Sequence, residues 1–144
     1  MNPFIIIAAF SFIFLANPAL GQKAENEPNS IDHAGILRQL GPKNYIKGQA
    51  IYNNLCTNCH GGDGKIPALP IARAFGTGEL KFGFDPYSMF QTLTKGNGLM
   101  GPQTWMTPQE RYDAIHYIRE KFMKPMHPKY KALTCLLYTS PSPR

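Results

Sequence analysis

At 144 residues the chain is long enough for one domain and too short for two. Hydrophobic residues make up 43%, enough for a core, and 15 basic against 9 acidic residues give a net charge of +6. That charge is spread along the chain. No arginine-rich block and no interleaving of basic with aromatic residues speaks for nucleic acid; the charge would suit steering onto an acidic partner, with ordinary solvated lysines as the alternative.

Residues 1–21 read as a secretory signal. Phe4 to Ala16 is apolar throughout except for Ser11, and is short for a membrane span. Ala19 and Gly21 offer small side chains at the two positions a signal peptidase reads. The first segment carries no Lys or Arg, so the alternative is an uncleaved anchor, the one case in which a membrane enters. Either way the domain is expected outside the cytoplasmic membrane, periplasmic or secreted by bacterial-type export. No Cys near the cleavage point offers a lipid attachment.

Residues 22–44 form an N-terminal extension. Its start is polar. Ile31, Ala34, Leu37 and Leu40 then repeat near helical spacing and predict a short helix, which Gly41-Pro42 is expected to stop. A second helix is predicted from about Tyr45, with Ile51 and Leu55 on one face and Gly48 and Tyr52 beside it. Gly inside a helix costs about 1 kcal/mol relative to Ala. Gly48 therefore implies either that another element packs against its backbone or that the helix starts there.

This helix runs into Cys56-Thr57-Asn58-Cys59-His60. The pattern C-x-x-C-H is the attachment signature of a c-type haem. Positions i, i+3 and i+4 share one face of a helical turn. Cys56 and Cys59 can then form thioethers to the two vinyl groups of one porphyrin, while His60 presents a ring nitrogen to the iron. A zinc half-site would need two more ligands at compatible spacing, and no second Cys pair exists. A thioredoxin-like dithiol expects a βαβ context, which the chain lacks.

From Gly61 to Phe84 no period is sustained, and Gly61, Gly62, Gly64, Gly76, Gly78, Gly83, Pro67 and Pro70 predict a long loop. Such loops in compact domains are commonly wrapped on a ligand. Pro67 or Pro70 is expected to offer a carbonyl to the second nitrogen of His60. Arg73 is a candidate for a haem propionate, with a solvated surface arginine as the alternative.

Asp85 and Pro86 open a third helix as N-cap and first residue, with Met89, Phe90 and Leu93 on its buried face and Gly96 at its end. Thr107-Pro108-Gln109-Glu110 is a capping box for a last helix reaching about Phe122. Tyr112, Ile115, Ile118 and Phe122 form its stripe, and His116 is taken as an edge residue. Between these helices an irregular stretch holds Met100, flanked by Gly and Pro. Such a loop can approach the porphyrin face opposite His60, where a soft thioether suits the iron. Met106, just before the cap, is read as a hydrophobic staple and is the alternative ligand. Trp105, Pro67 and Arg73 complete the expected haem contacts. Pro125 and Pro128 end the helix, and residues 125–134 read as an extension leading into a missing region. Residues 135–144, including Cys135, match a translated sequencing adapter and are set aside as an artefact.

Taken together, Gly48 and Tyr52 before Cys56-x-x-Cys59-His60-Gly61, the capped middle helix, Met100, and Thr107 to Glu110 before Tyr117-Ile118-Arg119 resemble a class I c-type cytochrome domain over residues 45–124. The stretch from Gly98 to Arg119 more narrowly resembles the N-terminal cytochrome domain of larger secreted bacterial multidomain proteins. The present chain differs from the usual Met-Pro pairing by inserting Gly101 between Met100 and Pro102. The resemblance implies an all-α, cytochrome c-like fold of three or four helices around one covalently attached haem c. It also implies that the Gly48/Tyr52 helix crosses the Tyr117 helix at the haem edge. The function expected is a one-electron carrier between a redox protein donor and acceptor, with His60 and Met100 saturating the iron. The alternatives are a haem peroxidase or ligand-sensing domain with an open iron position, and an electron-input domain of a truncated larger enzyme.

Overall fold

The computed structural model describes residues 30–128 and Tyr130. The segment read as a secretory signal, the polar start of the extension and the tail with Cys135 lie outside the described residues. Within them the chain is helical, with one isolated antiparallel bridge, Asn97 to Met100, and no named strand.

Helix α1, His33–Arg38, is capped by Asp32, whose carboxylate accepts from the Gly35 amide at 2.8 Å. Gly41-Pro42 marks the next helix's start rather than acting only as a stop. Pro42 is the first residue of α2, Pro42–Ile51, where its missing N–H costs nothing. The Gly41 amide donates to Asn44 Oδ1 at 3.1 Å. Gly48 thus lies well inside α2, three residues before its end.

The path does not continue as regular α-helix into the cysteine motif. Tyr52–Cys56 forms a π turn, followed by α3, Thr57–His60. The Thr57 amide and hydroxyl both donate to the Tyr52 carbonyl, the hydroxyl at 3.1 Å. A π turn closes over one residue more than an α turn, so it rotates the motif relative to the face of α2.

The remaining helices follow the sequence signals closely. α4, Pro86–Lys95, has Asp85 accepting from the Ser88 amide at 2.9 Å, and Gly96 ends it at φ +77°. α5, Pro108–Ile118, opens on the reciprocal Thr107–Glu110 box. It continues through a second π turn, Arg119–Met123, into α6, Lys124–Met126. Pro125 therefore sits in the last helical turn and does not stop the helix before it.

The core forms where α2 and the turn after it cross α5. Tyr52, Tyr112, Ile115, Tyr117, Phe122 and Met123 are all buried. A Cβ on Gly48 would lie 1.9 Å from the Asp113 carbonyl oxygen and 3.0 Å from Tyr117 Cβ, so only a hydrogen at this position lets the helices meet. The crossing implied by the resemblance is therefore present. α4 adds Met89 and Phe90, with Phe90 stacked on Tyr112 at 4.7 Å between centroids. α1 docks through His33, whose Nδ1 lies 2.9 Å from the Tyr112 hydroxyl and whose ring meets Phe90 edge-on at 4.8 Å.

The apolar stripe of α5 was legible, but its burial extends nearly all round. Asp113 is buried and accepts from Asn44 Nδ2 and Gln109 Nε2, both at 2.8 Å. Arg111 lies over the Phe90 ring at 4.3 Å and donates to the Thr94 hydroxyl. Arg119 donates to the Phe84 carbonyl. Burying such groups is tolerable because each side chain has a partner, although the Arg111 Nε is left without a hydrogen bond. No helix among the described residues is long and apolar enough to cross a membrane.

Candidate haem-binding site

The motif sits at the end of the α2–α3 path, and the loop after it folds back beneath His60. Gly61 adopts φ +73°, and a Cβ there would meet the Ile66 carbonyl at 2.2 Å. Its carbonyl accepts from the Tyr52 hydroxyl at 2.7 Å, tying the loop to the buried end of α2. Asp63 Oδ1 accepts from the amides of Ile66 and Lys65, forming a tight turn, and these bonds hold its carboxyl below the ordinary range. The Leu69 amide then donates to the Cys59 carbonyl at 3.0 Å.

This path carries the chain past both prolines before it reaches the imidazole. The carbonyl at His60 Nδ1, 3.0 Å away, belongs to Arg73. The expectation that Pro67 or Pro70 would supply it is corrected: the turn at Asp63 and the Leu69–Cys59 bond place residue 73 there instead. A carbonyl can only accept, so Nδ1 carries the proton and Nε2 keeps its lone pair for a metal. The ring face is stacked on Phe75, 4.6 Å between centroids and 24° from parallel. Arg73 thus contributes its backbone, while its side chain is exposed.

Cys56 and Cys59 are free thiols, both partly buried. Burial, and then the neighbouring Cys59, pushes the Cys56 thiol up to about 11. Redox-active dithiols are tuned the other way, toward the thiolate. Among the described residues, no group of three or more His, Cys, Asp or Glu could hold a metal ion. The zinc reading therefore has no partner ligands here.

The two candidate methionines differ sharply. Met106 is buried, 5% exposed, within the core. Met100 is half-buried and closes a short turn with Asn97, through amide-to-carbonyl bonds of 2.8 and 3.2 Å. The turn is anchored to α4, because the Gln103 amide donates to the Leu93 carbonyl at 2.7 Å. The inserted Gly101 is absorbed there, its carbonyl accepting from Gln103 Nε2 at 2.7 Å.

The exposed residues near the motif are of a kind that suits an apolar group. Leu55, Ile66, Leu69 and Ile71 are exposed in the segments before and after the motif, and in the Met100 stretch Leu99 is 87% and Trp105 65% exposed. Side chains of this size are costly in water, at roughly 1.5–3 kcal/mol for each one left uncovered. A porphyrin attached at Cys56 and Cys59 supplies cover of the right chemistry. A held imidazole with a free Nε2 and two unpaired thiols close to it in the motif supply the attachment. Sequence reading missed the stacking residue, Phe75, and the Arg73 carbonyl, because both depend on how the irregular loop folds.

An all-helical domain with these groups at the end of a helix is a c-type cytochrome domain. A family model described as cytochrome C oxidase, cbb3-type, subunit III matches residues 43–118, more than half of the chain, and the chain belongs to that family. No curated protein and no solved structure matches it. The cofactor is accordingly a covalently bound haem c, and the domain is a haem c-type electron carrier that passes electrons to redox partners.

Proposed function

We propose that the domain is a single-haem carrier, working one electron at a time between exported redox partners, with His60 and Met100 as the two axial ligands. The observation that carries the choice of Met100 is the contrast between the methionines. Met106 is committed to the core, whereas Met100 is held by its backbone in a closed turn with its side chain partly free. Haem supplies the one-electron chemistry. The chain's contribution is to hold the imidazole by Nδ1 on a fixed carbonyl and to shield the attachment side with apolar surface. His/Met ligation raises the reduction potential and leaves no open position for substrate. Export is supported by the apolar Phe4 to Ala16 run and its small-residue end. The positive surface suits acidic donor and acceptor faces.

The experiment is near-infrared spectroscopy of the oxidised protein, where a sulfur-to-iron charge-transfer band reports a thioether ligand. Met100→Ala is expected to abolish that band and lower the potential, while Met106→Ala retains the band and loses stability. The reverse pattern would assign the ligand to Met106. A wild-type protein without the band would favour an open-iron peroxidase or sensor.

A further inference from the structure

Beyond the ligands, an uninterrupted series of aromatic rings leads away from His60. Its ring stacks on Phe75 at 4.6 Å. Phe75 meets Tyr52 at 6.2 Å, Tyr52 meets Tyr117 at 5.4 Å, and Tyr117 meets Tyr45 at 5.1 Å. Each separation lies within aromatic contact range. Tyr52 and Tyr117 are buried, whereas Tyr45 is half-buried on α2, with the half-buried His116 edge-on to it at 6.2 Å. The close approach of α2 and α5 at Gly48 is what brings Tyr45 and Tyr117 together.

We propose that this series is a second electron port, coupling the haem through His60 to a one-electron redox partner seated over Tyr45. The proposal rests on His60 as an axial ligand. A carrier with one port must release its donor before meeting its acceptor, whereas two ports allow electrons to pass through the domain. Electronic coupling decays more slowly through contacting atoms than across gaps, and the rings form contacts all the way. In the step, one electron leaves the reduced haem iron and one is gained by the partner's oxidised centre. No bond or proton changes place. Tyr52 donates its hydroxyl hydrogen to the Gly61 carbonyl, which cannot take the proton, and burial pushes the phenol far above its ordinary value. Tyr52, at the centre of the series, therefore acts as a bridge and does not rest as a radical.

The test attaches a photoactive ruthenium complex to the intact holoprotein at Gln49→Cys, on the exposed face one turn from Tyr45. A second sample carries it at Lys65→Cys, in the loop beside the motif. After a flash, the rate at which the electron reaches the haem is read together with the absorption spectrum and reduction potential. From position 49, Tyr45→Leu and Tyr117→Leu are expected to slow transfer several-fold and Tyr117→Phe to leave it unchanged. From position 65 all three variants should behave as wild type, with unaltered spectrum and potential. Unchanged rates from position 49 in both leucine variants, or equal slowing from both positions, would overturn the port. Tyr45→Leu alters a half-buried ring and keeps the test open if Tyr117→Leu does not fold. A wild-type spectrum lacking imidazole ligation would overturn the port together with the ligation reading, and it is seen before any rate is measured.

Discussion

Replacing Cys56 and Cys59 together by alanine is expected to convert a haem that stays with the polypeptide in acidified organic solvent into one that leaves with the solvent. In the wild type, two thioether bonds survive conditions that protonate His60 and unfold the domain. In the variant only axial ligation and apolar contact remain, and both fail in acid. Cys59 precedes His60 on the short α3 segment, Cys56 ends the π turn just before it, and the Cys56 thiol is kept neutral by burial. They are thus disposed for a structural bond and not for disulfide exchange. His60→Ala should behave differently, impairing ligation and maturation while any haem attached remains unextractable. Extraction from the wild type, or retention in the double variant, would each show that the cysteines do not hold the group.

Gly48→Ala is expected to destabilise the domain by forcing apart the crossing of α2 and α5. Two effects oppose one another. Alanine is favoured over glycine inside a helix by about 1 kcal/mol. Against this, the new Cβ would lie 1.9 Å from the Asp113 carbonyl oxygen and 2.5 Å from its carbon. The obstacle is the backbone of α5, not the end of a flexible side chain, so the two helices must separate. Overpacking of this kind costs about 1–3 kcal/mol, and more where nothing yields. Separation would also open the Tyr45–Tyr117 and Tyr52–Tyr117 contacts. Because the obstacle is backbone, the cost falls at the upper end of that range and the net loss should be about 2 kcal/mol, a fall in melting temperature of several degrees for a domain of this size. Gly62→Ala is the control, since a Cβ there has nothing within 4 Å. Equal melting temperatures for Gly48→Ala and wild type would mean that the crossing is looser than described.

What could be read from the sequence was local. Thr107 with Glu110, and Asp85 with the Ser88 amide, specify helix starts through bonds spanning three residues, so they could be located without knowing the fold. Cys56, Cys59 and His60 were legible for the same reason, as their chemistry requires fixed spacing. Gly48 was informative because a glycine inside a helix calls for an explanation, and the approach of α5 supplies it. The carbonyl beneath His60 was not legible. It is chosen by the turn at Asp63, the left-handed Gly61 and the Leu69–Cys59 bond acting together, which carry the chain on to Arg73. The π turn at Tyr52–Cys56 leaves no mark in the hydrophobic pattern. The buried Arg111, Asp113 and Arg119 read as polar positions in the sequence, and their partners, Thr94, Asn44 and Phe84, come from other segments.

The central claim is that one haem is bound covalently through Cys56 and Cys59. The most direct measurement is a pyridine haemochrome spectrum of the matured protein, taken on the polypeptide after extraction with acidified organic solvent. The account predicts the spectrum of a haem whose vinyl groups have become thioethers, at one haem per chain, retained by the polypeptide. A vinyl-type haem recovered in the solvent, or a colourless polypeptide after expression with the haem c maturation machinery, would contradict it.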